Sequence, residues 1–341
     1  MPPYFILKPI AFMLRLLRKL LPAIRSFPDE VKSIPSRDAG RSIKIHIYRP
    51  PPPSLPPSLP PCDLEASNPL DSQDQDQDHK APPSHLSPVH LNLCGSGFVM
   101  PGHGLDDAFC RRLTTSVPSG LTIIDIEYRL SPENPFPAAL HDAEDVLRWV
   151  QSQPETYDAA RISIGGFSAG GALAVSLAGH MPKDTFSALV AFYPACDASV
   201  SPFRKKAPEE EGRPLPGWLL WVFQGCYLSG FAGKDKVEGV GEGEGEDGVV
   251  HDTRVSPALM RDLSRFPNRC LFVTAGQCSL AGEAEGLGER VKAWKEGEGE
   301  SRVVVQRMQG CGHAWDKFAK DGTVQWEMKE RAYAMAVEML T

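Results

Sequence analysis

The sequence predicts an α/β protein: a mainly parallel sheet covered by helices on both faces. Three observations predict it. Strand-like apolar runs alternate with helical periodicity from residue 43 to the end. The run Leu121–Glu127 has few polar residues, as a strand buried on both faces does. The strand-like Arg161-Ile162-Ser163-Ile164 leads through Gly166-Phe167-Ser168-Ala169-Gly170-Gly171 into a helix-like Ala172–Ala178. Strand, G-x-S-x-G and helix make a sharp turn that lifts a serine off the end of a strand. Gly166 and Gly170 give that turn room, with Ala169 and Gly171 beside them.

In chain order, residues 1–40 form an N-terminal cap region. The apolar stretch 4–24 is broken by Lys8, Arg15, Arg18 and Lys19, and its longest uncharged run, Pro9–Leu14, is far short of a membrane span. No small-residue cleavage pattern follows it, which argues against a secretory signal. At 100° per residue the four cations share one face and Met13, Leu16, Leu17 and Leu20 the other. Two readings of this helix stand: a cap over a hydrophobic pocket, which we favour, or a membrane-surface helix. Ile43–Tyr48 alternates as a strand. Residues 50–88 hold 12 prolines and the tract Asp71–Asp78, which cannot build a core, so a disordered insertion is expected there.

The main domain, 41–341, continues with a strand at Val89–Leu93, a helix at Leu105–Leu113, and the strand Leu121–Glu127. A helix follows over Pro137–Gln151, then the serine turn and its helix, then a buried strand at Ser187–Tyr193. Residues 195–250 break the rhythm. They hold an amphipathic stretch at Pro216–Tyr227 and the repeat Gly241–Glu246, and read as a cap insertion. The sheet resumes at Arg269–Thr274. A helix at Glu283–Lys295, a strand at Arg302–Arg307 and a last helix at Thr323–Leu340 complete the pattern.

Composition narrows the function. Hydrophobic content of 42% and charged content of 23% suit a globular chain in water. The net charge of −7 divides unevenly. Residues 1–50 carry ten Lys/Arg against three Asp/Glu, or +7, which leaves −14 for the rest. An acidic body argues against nucleic-acid binding. The eight cysteines form no C-x-x-C pair and read as mostly reduced thiols of an intracellular, cytoplasmic protein. No metal-ligand spacing is present, and no metal or cofactor is expected.

Serine is a weak nucleophile until a base takes its proton. In the chain order serine, acid, histidine, His313 is well placed: it follows the last strand in Gln309-Gly310-Cys311-Gly312-His313-Ala314-Trp315. The other eight histidines lie before residue 252.

Several stretches together resemble the hormone-sensitive-lipase-like carboxylesterases, an α/β-hydrolase group with many fungal members. They are Glu127–Glu133 (EYRLSPE), Pro135-Phe136-Pro137-Ala138-Ala139, Gly166–Gly171, Ser256-Pro257-Ala258 and Gly310-Cys311-Gly312-His313-Ala314. The resemblance runs from about Pro28 to the end of the chain. It implies an α/β-hydrolase fold with a helical cap, Ser168 as nucleophile and His313 as base. It also implies an oxyanion hole from the backbone amides of Ser96, Gly97 and Ala169.

Two departures stand out. Where the family has aspartate after the next-to-last strand, this chain has Cys278, ahead of Ser279-Leu280. Where the family has His-Gly-Gly-Gly, this chain has Cys94-Gly95-Ser96-Gly97. A neutral residue in place of the triad acid costs ~10⁴ in turnover in a serine protease. Glu283 and Glu285 are the nearby carboxylates that could substitute, although both sit where helix-starting acids are ordinary. The expected function is hydrolysis of small hydrophobic carboxylic esters through an acyl-enzyme, slowed by Cys278. The alternative is a catalytically impaired hydrolase-fold protein that binds a ligand, like a receptor. Oligomeric state is not legible in the chain, and peripheral membrane contact rests on the N-terminal helix alone.

Overall fold

The computed structural model describes residues 4–20, 23–52, 86–212, 214–231, 246–297 and 299–341. Most of the expected 50–88 insertion, the Gly-Glu repeat up to residue 245, and Cys62 lie outside the described residues.

One eight-stranded sheet carries the fold. Its strands are β1 (Glu30–Pro35), β2 (Ser42–Tyr48), β3 (Ser87–Leu93), β4 (Thr122–Ile126), β5 (Tyr157–Phe167), β6 (Ala188–Phe192), β7 (Arg269–Ala275) and β8 (Arg302–Met308). The helices are α1 (Tyr4–Arg18), α2 (Asp107–Ser116), α3 (Ala138–Gln151), α4 (Ala169–His180), α5 (Gly217–Tyr227), the turn α6 (Glu246–Val249), α7 (Ala281–Lys295), the short α8 (Trp315–Phe318) and α9 (Val324–Leu340).

The sheet order is β1-β2-β4-β3-β5-β6-β7-β8. β1 and β2 run antiparallel to each other, and β2 to β4; every pairing from β4 onward is parallel. This is the α/β architecture the alternating pattern predicts. Strands buried on both faces need apolar residues throughout, and all five residues of β4 and of β6 are buried. α3, α4 and α7 pack one face through Leu140, Val146, Leu173, Val175, Leu287 and Val291. α2 and α9 pack the other through Phe109, Leu113, Tyr333 and Met339.

β1 was not legible in the sequence. Only Ile34 of Glu-Val-Lys-Ser-Ile-Pro is buried, so no alternation marks it, and pairing with β2 makes it a strand. The charged residues of the 127–142 segment are structural. Asp142 is fully buried and pairs with Arg41 at 2.7 Å and Arg129 at 2.9 Å.

α1 lies against α5, with Leu7 and Ala11 buried beside Val99, Val222 and Cys226. The face expected to cover a pocket points the other way: Met13, Leu16, Leu17 and Leu20 are 45–79% exposed. Arg15 turns inward instead, donating to the carbonyls of Val99 (2.9 Å) and Ser131 (2.6 Å) and to the Glu133 carboxylate. The seven described cysteines are free and buried. Among the described residues no helix is long and apolar enough to cross a membrane.

Candidate active site

The chain leaves β3 for β4 on one side and returns to β5 on the other, so the sheet has a switch point between β3 and β5. Crevices at such points, at the carboxyl ends of the strands, are where open α/β sheets place ligands. The serine turn follows β5 and the Cys94–Gly97 loop follows β3. Ser168 sits between β5 and α4 at φ 53°, ψ −115°, a conformation costly for a residue with a side chain. Its backbone is held on both sides: its N–H donates to Phe192 O at 2.9 Å, and its carbonyl accepts from Ala172 N at 2.8 Å. Gly170 lets α4 start close to β3, because a Cβ there would stand 2.0 Å from Leu93 O. That contact brings the serine and the loop after β3 together.

His313 lies in the loop between β8 and α8. Its Nε2 is 2.8 Å from Ser168 Oγ and its Nδ1 is 3.1 Å from Cys278 Sγ. The Tyr193 ring meets the imidazole edge to face at 4.8 Å between centroids. The imidazole opens only to the cavity, and the protein crowding it elsewhere lowers its pKa to about 4. Burial pushes the Cys278 thiol up to about 12, against a weak lowering from the Leu280 N–H, which reaches Sγ at 3.5 Å. At neutral pH both partners are therefore uncharged.

Neither glutamate stands behind His313. Glu283 accepts from the amides of Cys196 (2.8 Å) and Asp197 (3.1 Å) and pairs with Lys205 Nζ at 2.5 Å, so it pins the chain after β6. Glu285 accepts from Thr274 Oγ1 at 2.6 Å and Arg307 Nε at 2.9 Å. The position beside Nδ1 belongs to Cys278 alone among the described hydrogen bonds.

Two carboxylates escaped the sequence reading. Glu209 accepts from Gly310 N at 3.0 Å, while its own N–H donates to Gly276 O at 2.9 Å. It straps the cap region across both loops that carry Cys278 and His313. Asp316 is buried and accepts from Tyr193 (2.6 Å), Tyr333 (2.9 Å) and Lys317 (2.8 Å). Its charge favours the imidazolium of His313 through space. No spacing rule marks an acid three residues after the histidine, so only the fold reveals it.

The loop after β3 is well braced. Tyr128 OH donates to Cys94 O at 2.6 Å, so its oxygen takes the proton of Ser96 Oγ, also at 2.6 Å. Ser96 Oγ in turn accepts from Phe98 N at 2.9 Å. The positive φ values here fall on Gly97 (56°) and Phe98 (63°), not on Ser96, and a Cβ at Gly97 would meet the Phe223 ring at 2.4 Å. Serine at 96 is therefore unstrained. Ala169 opens α4, where an amide has no partner within the helix. Cys94 is buried and neutral, its thiol raised by burial.

Ser96, Gly97, Ser168, Ala169 and His313 face one cavity of about 600 Å³. Its walls are mainly apolar, with Phe98, Leu105, Leu219, Leu220, Phe223 and Tyr227 among them. α5 and the chain following α1 thus form part of its lining.

Elsewhere, His46, His103 and Asp125 each bring a donor atom within 4.8 Å of the others. The two imidazole rings lie 3.9 Å apart between centroids, tilted by 34°. Asp125 already accepts from Asn92 (2.8 Å) and Gly104 N (3.2 Å).

Residues 90–317 match the family described as alpha/beta hydrolase fold, and the chain belongs to that family, in its hormone-sensitive-lipase-like branch. It is 31% identical over 204 residues to the ethyl acetate hydrolase of Pseudomonas putida, 56% of this chain and 52% of that protein. It is 36% identical over 91 residues to the versiconal hemiacetal acetate esterase of Aspergillus parasiticus, 27% of each chain. The matches thus span about half or less of these relatives. Among solved structures, a carboxylesterase from a metagenomic library superposes with TM-score 0.64 at 24% identity, over 100% of this chain and 98% of that one. Carboxyl esterase 2 of the fungus Tuber melanosporum gives TM-score 0.65 at 17% identity, over 98% and 99%. At these identities the structures speak to the fold.

Proposed function

We propose that this member of the α/β-hydrolase family is a serine carboxylesterase for small hydrophobic esters. The 2.8 Å contact between Ser168 Oγ and His313 Nε2, facing an apolar cavity, is the observation that carries this reading. Ser168 Oγ attacks the ester carbonyl while His313 Nε2 takes its proton. The amides of Ser96, Gly97 and Ala169 receive the oxyanion. His313 returns the proton to the leaving alcohol, and water activated by the same nitrogen releases the acid and frees Ser168.

Cys278 sets the tautomer of His313. For Nε2 to accept the serine proton, Nδ1 must carry hydrogen and donate it to Sγ. A carboxylate there can only accept, whereas a neutral thiol can also donate, which leaves Nε2 protonated and idle. The imidazolium also gains no full charge from Cys278, only the more distant field of Asp316. This neutral pair supports a second reading as well, a site that holds its ligand and turns it over slowly.

Hydrolysis of p-nitrophenyl esters of graded acyl length tests the proposal. Wild type should hydrolyse short or medium chains at least about 10³-fold faster than Ser168→Ala, the loss expected when a nucleophile is removed. A wild type no faster than Ser168→Ala on every chain length would leave the slow ligand-binding reading.

A further inference from the structure

The outer face of α1 is the largest concentration of exposed apolar side chains among the described residues. Nineteen large hydrophobics are exposed, and eight of them fall within residues 4–20. At 3.6 residues per turn, Phe5, Phe12, Leu16, Met13, Ile6 and Leu17 fall in an arc about 140° wide that holds no charge, and Leu20 follows in the turn after α1. Phe5 is 73% exposed and Leu20 79%. Lys8 and Lys19, both exposed, stand together on one border of the arc, and α1 contains no acidic residue. α5, against which α1 packs, adds Trp218 and Trp221 to the exposed set.

We propose that this face docks on the surface of an anionic lipid bilayer, with α1 lying in the interface. Three features choose a bilayer over another occupant. Cations bordering an uncharged apolar arc match anionic headgroups above acyl chains. Lys8 and Lys19 are exposed and residues 4–20 hold no acid, so an anionic surface attracts this face while the chain's net charge of −7 is repelled, which favours approach by α1. At 15 residues, α1 is about 22 Å long, too short to span and long enough to lie flat. Arg18, the last residue of α1, and Ala23–Arg25 line the cavity. Docking therefore sets the cavity beside the lipid surface. The inference does not depend on hydrolysis.

The test is flotation of the full chain with vesicles of phosphatidylcholine alone and of equal parts phosphatidylcholine and phosphatidylserine. The variant Phe5→Ser/Phe12→Ser/Leu16→Ser changes three residues that do not line the cavity. Its thermal transition reports folding, so binding and activity fail separately. Wild type should float with the mixed vesicles at low salt, at least tenfold more than the triple variant. Lys8→Glu/Lys19→Glu should reduce flotation on mixed vesicles to the level seen on phosphatidylcholine alone. Wild type remaining unbound on both compositions overturns the proposal. So does a dimer in sedimentation that the triple variant dissolves without any vesicle binding, which would assign the face to a second copy.

Discussion

Replacing Cys278 by aspartate should speed ester hydrolysis by about 10²- to 10⁴-fold. The lower figure follows from the imidazole. His313 is held near pKa 4 by desolvation, with a neutral thiol at Nδ1. An anionic partner there should return it at least to an ordinary 6.5, a change of about 2.5 units. At ~1.36 kcal/mol per pKa unit this is a few kcal/mol, on the order of a hundredfold or more if the transition state carries a full imidazolium. The upper figure is the ~10⁴ lost when a protease triad acid is made neutral, where the wrong tautomer adds to the charge effect. The position can accept a carboxylate: the Leu280 N–H already points at Sγ. The assay is kcat and kcat/KM on a soluble ester across pH 3.5–8, with the thermal transition as folding control. The base form of a group with depressed pKa persists to low pH, so wild type should lose kcat/KM only near pH 4. In Cys278→Asp that acid limb should move up to 6.5 or above. A folded variant with unchanged rate and unchanged limb would refute the role given to Cys278.

Further outcomes follow from the same geometry. Ser168→Gly should abolish hydrolysis yet raise the melting temperature, because φ 53°, ψ −115° stores about 1–3 kcal/mol that glycine releases; a lower melting temperature in calorimetry would contradict the strain. Tyr128→Phe removes the hydroxyl that ties Cys94 to Ser96, and should cost roughly tenfold in kcat, about one hydrogen bond's worth, with little change in KM. Glu285→Gln should leave kcat within about twofold, since its partners are Thr274 and Arg307, whereas a loss comparable to that of His313→Ala would mark it as the missing acid.

Much of the fold was legible because parallel strands write their burial into the sequence. β6 is a continuous apolar run and β4 and β7 are mainly apolar, and each appears in the chain with its flanking turns. β1 did not, because an edge strand with one buried residue leaves no pattern. The places of Ser168 and His313, now seen 2.8 Å apart, could be read because each lies in a glycine-rich turn at a fixed point in strand order. The alignment of Cys278 with Nδ1 could be anticipated from position, but the engagement of Glu283 by Lys205 and two amides could not. It depends on chain segments 78–87 residues apart. Asp316, Glu209 and the Tyr128–Ser96 brace were hidden for the same reason. The helical period of α1 correctly divided its cations from Met13, Leu16, Leu17 and Leu20, yet amphipathicity cannot say which face meets the protein. Leu7 and Ala11 meet the protein, and Arg15 beside them reaches two carbonyls and the exposed Glu133.

The most direct measurement is reaction of the folded chain with a fluorophosphonate, followed by peptide mapping. One phosphonyl group on Ser168, absent when the chain is heat-unfolded before the reagent is added and formed far more slowly in His313→Ala, is the expected result. A folded chain in which Ser168 stays unmodified, under conditions that fully label a known serine esterase, would contradict the assignment of Ser168 and His313 as nucleophile and base.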